Sequence, residues 1–438
     1  MILFYLLVAG MPLVNQPLMA HFADQLTMTK YLGLAAVAYA AVHLALKRRM
    51  PDALHSVVFP LLLAFYVLVT VSYFTRSLPM PWQLSPFLSY TSFFVLCFVV
   101  AAIVDTPERL RITLLVAIGS VAIGSLYVLR EWQKYHTRYV DFRPGYVVGD
   151  ANYFTLSAVV CLPLALFLLR ERRPWQRAAL VVCVVLTLLA VALAASRGGF
   201  LALLAALGYL WWRSAHRIRN LGLIALVLVP LVAFAPDSAF HRLVKPDYSD
   251  QEAVQNRLVV WRAGLKIIAD HPLTGIGLGN FKPMVEHFEH SGLRVDSLAH
   301  NTYIQLAADL GLPGLTLFLV LFSVAFVQAA RAVRASGPGS LLWLAGNGIQ
   351  AGLLGCAVGV FFLSAGTQKL IWLMLALCPC LAALARRSQL ANVAASAPAG
   401  NAPSGPPALP PSPAQPPLAS GLPATMPVRA REMSQLWR

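Results

Sequence analysis

The stretch Arg177–Arg213 reads RAALVVCVVLTLLAVALAASRGGFLALLAALGYLWWR. Two apolar runs, roughly 178–195 and 199–212, are separated only by Ser196-Arg197-Gly198-Gly199 and bounded by arginine at both ends. Neither run alternates apolar with polar residues, which argues against strands of a membrane barrel. Backbone in hydrocarbon must satisfy its own hydrogen bonds, which leaves helices. The stretch is therefore two membrane-crossing helices joined by a sharp reversal. Glycine permits such a reversal, and Arg197 is held where hydrocarbon meets water.

Apolar runs of similar length recur along the 438 residues, and about 20 residues suffice to cross roughly 30 Å of hydrocarbon. The chain is 58% hydrophobic and 12% charged, about half the charged share of a soluble domain. The expected fold is an all-α polytopic membrane protein with about twelve transmembrane helices. The spans are roughly 2–20, 31–46, 54–74, 84–104, 112–130, 152–169, 178–195, 199–212, 221–236, 301–330, 340–364 and 370–385. The first run lacks a signal-peptide cleavage pattern and is taken as a retained span. Residues 1–387 form the transmembrane domain. From 388 to 438 the chain is rich in Ala, Pro and Ser, buries too little apolar surface to fold, and is expected to be a disordered tail.

The net charge of +16 does not imply nucleic acid, because the basic residues punctuate span ends. Lys47-Arg48-Arg49, Arg109/Arg111, Arg170–Arg173, Arg213/Arg217/Arg219, Arg331/Arg334 and Arg386-Arg387 all fall on one face in this arrangement. The positive-inside rule makes that face cytoplasmic, with both termini on it. The opposite face then carries the loop around 131–151, the Ser196–Gly199 turn and the long loop 237–300. Arg143, Arg197, Arg257, Arg262 and His300 can converge there. The loop 237–299 holds seven Lys/Arg and eight Asp/Glu, so it is no general anion funnel, and only specifically placed arginines could bind an anion.

Two readings stand for Arg197: its planar donors hold a phosphate of a lipid-linked substrate, or it snorkels to headgroups. Arg257, Arg262 and Lys266 lie in an expected helix from about Glu252 to Ala269, closed by Pro272. Leu258, Trp261, Leu265 and Ile268 give it an apolar stripe suited to a membrane interface, and Lys266 reads as a solvated charge. Thr274–Asn280 (TGIGLGN) matches no nucleotide-binding context and is expected to be a flexible turn. His300 opens the tenth span with Asn301 and Tyr303, and an imidazole there can take a proton near neutrality. Asp150 could orient a sugar or an arginine, but capping the next helix suits it better. Asp309, about two turns into the tenth span, could pair with a site arginine or mark a watery pocket.

All six cysteines sit in apolar runs and read as small buried hydrophobes. There is no DxD, HExxH or paired-cysteine pattern, so no metal or other cofactor is expected. A transporter or lipid flippase would need ionisable groups deep in several spans, whereas here charge gathers on one face.

Three segments carry a resemblance: SRGGFLALLAAL from Ser196, NRLVVWRAGLKIIADHPLTGIGLGNF from Asn256 and HNTYIQLAADLGLPGL from His300. In this order and spacing, over about 150–380, they resemble the core of the O-antigen ligase/polymerase superfamily of bacterial inner-membrane proteins. The resemblance implies a glycosyltransferase of the GT-C type with its site on the periplasmic face, serving lipopolysaccharide or other polysaccharide biosynthesis. It implies a glycan donor on undecaprenyl pyrophosphate, an acceptor hydroxyl on lipid A–core, a growing glycan or a protein, and metal-independent transfer. Lipid A–core is the acceptor favoured. Carried over, Arg197 and Arg257, with Arg262 behind them, hold the pyrophosphate and His300 activates the acceptor. Arg143, Asp150, Asn301 and Asp309 are supporting candidates.

Overall fold

The computed structural model describes residues 1–13, 28–47, 50–76, 84–138, 142–146, 150–170, 174–214, 217–218, 221–222, 224–225, 248–288 and 298–396. Thirteen helices are described and no strand occurs among these residues. They are α1 (Ile2–Gly10), α2 (Met28–Lys47), α3 (Val58–Arg76), α4 (Leu84–Ile103), α5 (Pro107–Tyr135), α6 (Ala151–Leu168) and α7 (Pro174–Ala194). Then follow α8 (Arg197–Trp212), α9 (Tyr248–Asp270), α10 (Phe281–Phe288), α11 (Thr302–Ala335), α12 (Leu341–Gly359) and α13 (Lys369–Ser396).

Nine of them, α2 to α7 and α11 to α13, are long and apolar enough to cross a membrane. The protein is a multi-pass membrane protein. Of the other three expected spans, 2–20 is helical over Ile2–Gly10, and 221–236 lies mostly outside the described residues. The third, 199–212, is the 16-residue α8, which at 1.5 Å per residue reaches about 24 Å. The chain divides into two units, Met1–Asn392 and Val393–Arg438. The helix α13 continues past the boundary expected at 387, and the residues beyond 396 lie outside the described set.

Helix starts follow from their caps. The Thr106 hydroxyl accepts from Arg109 N–H, with Pro107 at the first helical position, so α5 begins before the expected 112. Asp150, Ser196, Asn301 and Ser340 cap α6, α8, α11 and α12 in the same way. Among the nine membrane-crossing helices described, α13, α6 and α12 are the most deeply buried. Trp372, Phe65 and Phe93 knit α13 to α3 and α4, with Phe93 stacked on Trp372 at 5.5 Å. All six cysteines are free thiols; five are buried and Cys183 is half-buried.

One expected span is cut short. The run 340–364 is helical only to Gly359, and residues 360–368 form an irregular strap leading into α13. Its apolar Phe361-Phe362-Leu363 concealed the break. The strap's backbone is satisfied from outside: Thr302 N–H donates to Val360 O (2.8 Å), the Thr302 hydroxyl to Leu363 O (2.6 Å), and Ala365 N–H to that hydroxyl (2.9 Å). Tyr153 OH reaches Ser364 O at 2.7 Å. Irregular backbone at membrane depth needs such partners.

The segment Thr274–Asn280 is not a flexible turn. It docks into a break in α11, where Gly311 adopts φ 72° and a Cβ would meet Leu273 backbone at 2.6 Å. Ile276 and Gly277 donate to Ala308 and Asp309 carbonyls, and Leu312 N–H to Pro272 O. Ser72 and Arg76 of α3 hold the other side, through Leu278 N–H to Ser72 Oγ (3.0 Å) and Asn280 Nδ2 to Arg76 O (3.0 Å). The glycines let backbone meet backbone, and the loop is a docked part of the fold.

Candidate active site

A cleft opens where four elements meet: the start of α6, the α7–α8 turn, α9 and the strap. Arg143, Asn152, Ser196, Arg197, Arg257 and Phe362 are among its lining residues. The α7–α8 turn is locally strained. Ala195 has φ 45°, a left-handed conformation uncommon outside glycine. The surroundings hold it there: Arg143 Nε donates to Ala194 O (3.1 Å), and Ser196 Oγ both caps α8 at Gly199 N–H (3.2 Å) and donates to Asn152 Oδ1 (2.8 Å). Arg143 Nη2 donates to the same Asn152 oxygen at 3.0 Å. One amide oxygen thus fastens Arg143 and the turn that presents Arg197. Gly198 and Gly199 allow close approach, since a Cβ would lie 2.6 Å from Phe362 Cβ at the first and closer still to Thr155 Cγ2 at the second.

Arg257 is half-buried on α9. Burial depresses its guanidinium's proton affinity and the Arg197 charge depresses it further, while Asp150 acts in the opposite direction. Two like charges in one partly dry cleft raise the electrostatic energy, and an entering anion relieves it. Asp150 Oδ1 accepts from Asn152 N–H (2.6 Å) and Tyr153 N–H (2.9 Å), so it caps α6 while contributing its charge. The loop before it is tied down by Glu131, whose Oε2 accepts from Gly145 and Tyr146 N–H.

His300 does not line the cleft. It is half-buried with φ 44° and shares this left-handed backbone only with Ala195 among the non-glycine described residues. Its neighbours are fixed: Trp261 Nε1 donates to Ala299 O (2.7 Å), Asn301 Oδ1 caps α11 at Tyr303 and Ile304 N–H, and Thr302 holds the strap. Trp261 lies one turn beyond Arg257 on α9, and Phe362 and Leu363 of the strap line the cleft. His300 therefore sits between two elements of the cleft wall. Strained backbone over-determined by its surroundings is characteristic of functional sites.

The other expected site residues fall elsewhere. Arg262 is exposed and Lys266 likewise, neither lining the cleft. Asp309 is buried, and its Oδ1 accepts from Phe281 N–H at 2.9 Å, so it secures the docked 274–280 loop at the start of α10. The α9 stripe also differs from a simple amphipathic face. Val260, Ala263 and Ile267 pack inward against Phe281, Val285 and Ala308, whereas Leu258 and Leu265 stay 45% and 57% exposed. The helix is apolar on two sides, one for the protein and one outward as an interfacial helix requires. Among the described residues no group of three or more His, Cys, Asp or Glu converges.

From sequence, Asn152 stands out only beside Arg143, Gly145 and Asp150 at the approach to the sixth span, with no role of its own, and Phe362 not at all. Asn152 stands two residues after the helix-capping Asp150, and that position was the available signal. Phe362 gave none, being one apolar residue in an apolar run.

Residues 182–319 match a family model, Wzy_C, described as O-Antigen ligase. That match supports the O-antigen ligase superfamily. It covers α8 with Arg197, α9 with Arg257, and His300 at the head of α11. Arg143 and the strap lie outside it. No curated protein matches the chain. The family is one of glycan transfer in membranes, of the ligase and polymerase type.

Proposed function

We propose that this protein transfers a glycan from undecaprenyl pyrophosphate to an acceptor hydroxyl at the periplasmic face of the bacterial inner membrane, with lipid A–core the favoured acceptor. The observation that carries this reading is the meeting of Arg143, Arg197 and Arg257 in one cleft beside a membrane bundle, together with the O-antigen ligase match over the segment holding two of them. The leaving group is a pyrophosphate whose charge grows as the glycosidic C–O bond breaks. Guanidinium groups preorganised in a partly dry cleft stabilise that growing charge and need no metal to do so. The acceptor oxygen attacks the anomeric carbon, its proton passes to His300, and undecaprenyl pyrophosphate departs. The carrier's energy drives the step, so no ATP is needed. The short basic loops favour cytoplasmic termini.

The test is transfer by purified protein given undecaprenyl-pyrophosphate glycan and EDTA, with or without lipid A–core. Product on lipid A–core is expected. Longer glycan on the carrier with no added acceptor would instead make the enzyme a polymerase. Transfer to protein alone would make it a protein O-oligosaccharyltransferase. No product with any acceptor would overturn the reading and return attention to transport.

A further inference from the structure

The helix α5 is longer than a membrane needs. At about 1.5 Å per residue its 29 residues reach roughly 44 Å, against roughly 30 Å of hydrocarbon. Its apolar run ends at Leu129, and Arg130-Glu131-Trp132-Gln133-Lys134-Tyr135 continues the helix past it. This end holds the loop that leads into the arginine cleft. Glu131 Oε2 accepts from Gly145 N–H (2.8 Å) and Tyr146 N–H (3.2 Å). The Tyr135 ring packs on Phe142 at 5.5 Å, and the next residue, Arg143, lines the cleft.

The loop backbone is fixed. Pro144 and Gly145 are buried, and Gly145 has φ 149°, where a Cβ would meet Ala151 N at 2.5 Å. Yet Tyr146, the next residue, is 69% exposed. Beside it, Trp132 follows Glu131 and lies flat against His136, with ring centroids 4.0 Å apart and planes 10° from parallel. Tryptophan and tyrosine at span ends commonly anchor a protein in the lipid interface. Tyr146 belongs to no span, and Trp132 is set among the exposed Gln133, Lys134 and His136. A fixed backbone thus presents aromatic rings with polar edges at the rim of the cleft. They stand on the wall made by the approach to α6, whereas His300 sits between α9 and the strap.

We propose that Tyr146 and Trp132 are a stacking platform for the sugar rings of the donor glycan next to its pyrophosphate. This rests on the transfer reading above and adds where, and by what chemistry, the transferred glycan is held. A pyranose ring carries C–H groups on its faces and hydroxyls around its edge. The faces pack on an aromatic ring, while the hydroxyls stay with water and with polar neighbours, here Lys134. Arg143 sets the order of parts. The loop that brings it to the cleft carries Tyr146 three residues on, at most about 11 Å of stretched chain. A sugar bonded to a phosphate in the cleft lies within that reach.

Full-length protein is placed in neutral phosphatidylcholine vesicles with saturating lipid A–core, and donor KM is compared with the Ki of glycan-free undecaprenyl pyrophosphate. Tyr146→Ala is expected to raise the donor KM about tenfold and Trp132→Ala about threefold, with the acceptor KM and the Ki of the bare carrier unchanged. Tyr146→Phe, which keeps the ring, should recover most of the loss. An unchanged donor KM in both alanine variants overturns the proposal. So does an equal rise in the bare-carrier Ki, a rise confined to the acceptor KM, or a Tyr146→Phe variant as weak as Tyr146→Ala. A lowered unfolding temperature with loss common to every substrate also overturns it, and would make the rings interfacial anchors. If wild type transfers to no acceptor, the transfer reading fails by itself. Binding of labelled glycan-bearing and bare carrier in the same vesicles then still decides the platform. Tighter binding of the glycan-bearing form by wild type, lost in Tyr146→Ala, upholds it, and equal binding of the two forms overturns it.

Discussion

Cations meet opposite circumstances at the two ends of the helix bundle. At one end Lys47 and Arg109 both close on Asp105, with Arg109 Nη1 to Asp105 Oδ1 at 2.7 Å, and Arg387 closes on Asp52 at 2.6 Å. Burial would raise the Asp105 carboxyl, yet the Lys47 hydrogen bond and the Arg109 charge hold it below the usual carboxylate range. Arg387 Nη1 also donates to Asp105 O at 3.4 Å, so these contacts tie α2, α5 and α13 together. At the other end Arg197 and Arg257 line one cleft, where burial and then the Arg197 charge depress the proton affinity of the Arg257 guanidinium. The first arrangement is complete within the protein and serves the fold. The second gathers cations of like charge in one cleft, and we read it as the anion-binding site of the proposed transfer.

The sharpest way to break this contrast is to remove the cleft cations. Arg197→Ala and Arg257→Ala should each lower transfer about 100- to 1,000-fold while the protein still inserts and melts normally, as read by product formation and thermal unfolding. His300→Ala should cost about 100-fold at unchanged donor affinity. A variant with wild-type turnover would remove His300 from the chemistry. Asn152→Ala should cost about tenfold, mostly in donor KM, because it frees Arg143 and the α7–α8 turn without deleting a cation. Equal kcat and KM in that variant would show that the turn needs no tether.

The structural end offers smaller effects on rate and clearer ones on stability. Asp309→Ala leaves Phe281 N–H without its acceptor and should lower stability by about 1–3 kcal/mol, whereas Asp309→Asn, which keeps an acceptor, should lower it less. Because the folded Asp105 is depressed, its contribution is present above the unfolded carboxylate range and is lost as pH falls through the folded value. Thermal unfolding of the protein in detergent should therefore weaken with acid below about pH 4, and Asp105→Asn should flatten that dependence. Arg262→Ala, at an exposed position outside the cleft, should leave transfer within about twofold.

Much of the bundle was legible in the sequence because hydrocarbon is a simple solvent: an apolar run of sufficient length has to be a helix. Caps were legible for the same local reason, as at Asp150. The failures share a cause. The strap hides in an apolar run because its backbone partners come from Thr302, far away in sequence. The 274–280 loop looked flexible because its glycines suggest freedom, while the matching break at Gly311 is a tertiary fact. Of the stripe Leu258, Trp261, Leu265 and Ile268, only Leu258 and Leu265 face outward, and the tighter inward face at Val260, Ala263 and Ile267 appeared only once α10 and α11 were seen to pack on it.

By itself the sequence determined that this is a helical membrane protein and that a few arginines and one histidine stand apart from its apolar bulk, since both depend on composition and local spacing. Tertiary structure alone decided that Arg143, Arg197 and Arg257 share a cleft while Arg262 and Asp309 do not. That distinction depends on distances between segments far apart in the chain, set by which backbone groups could find partners away from water.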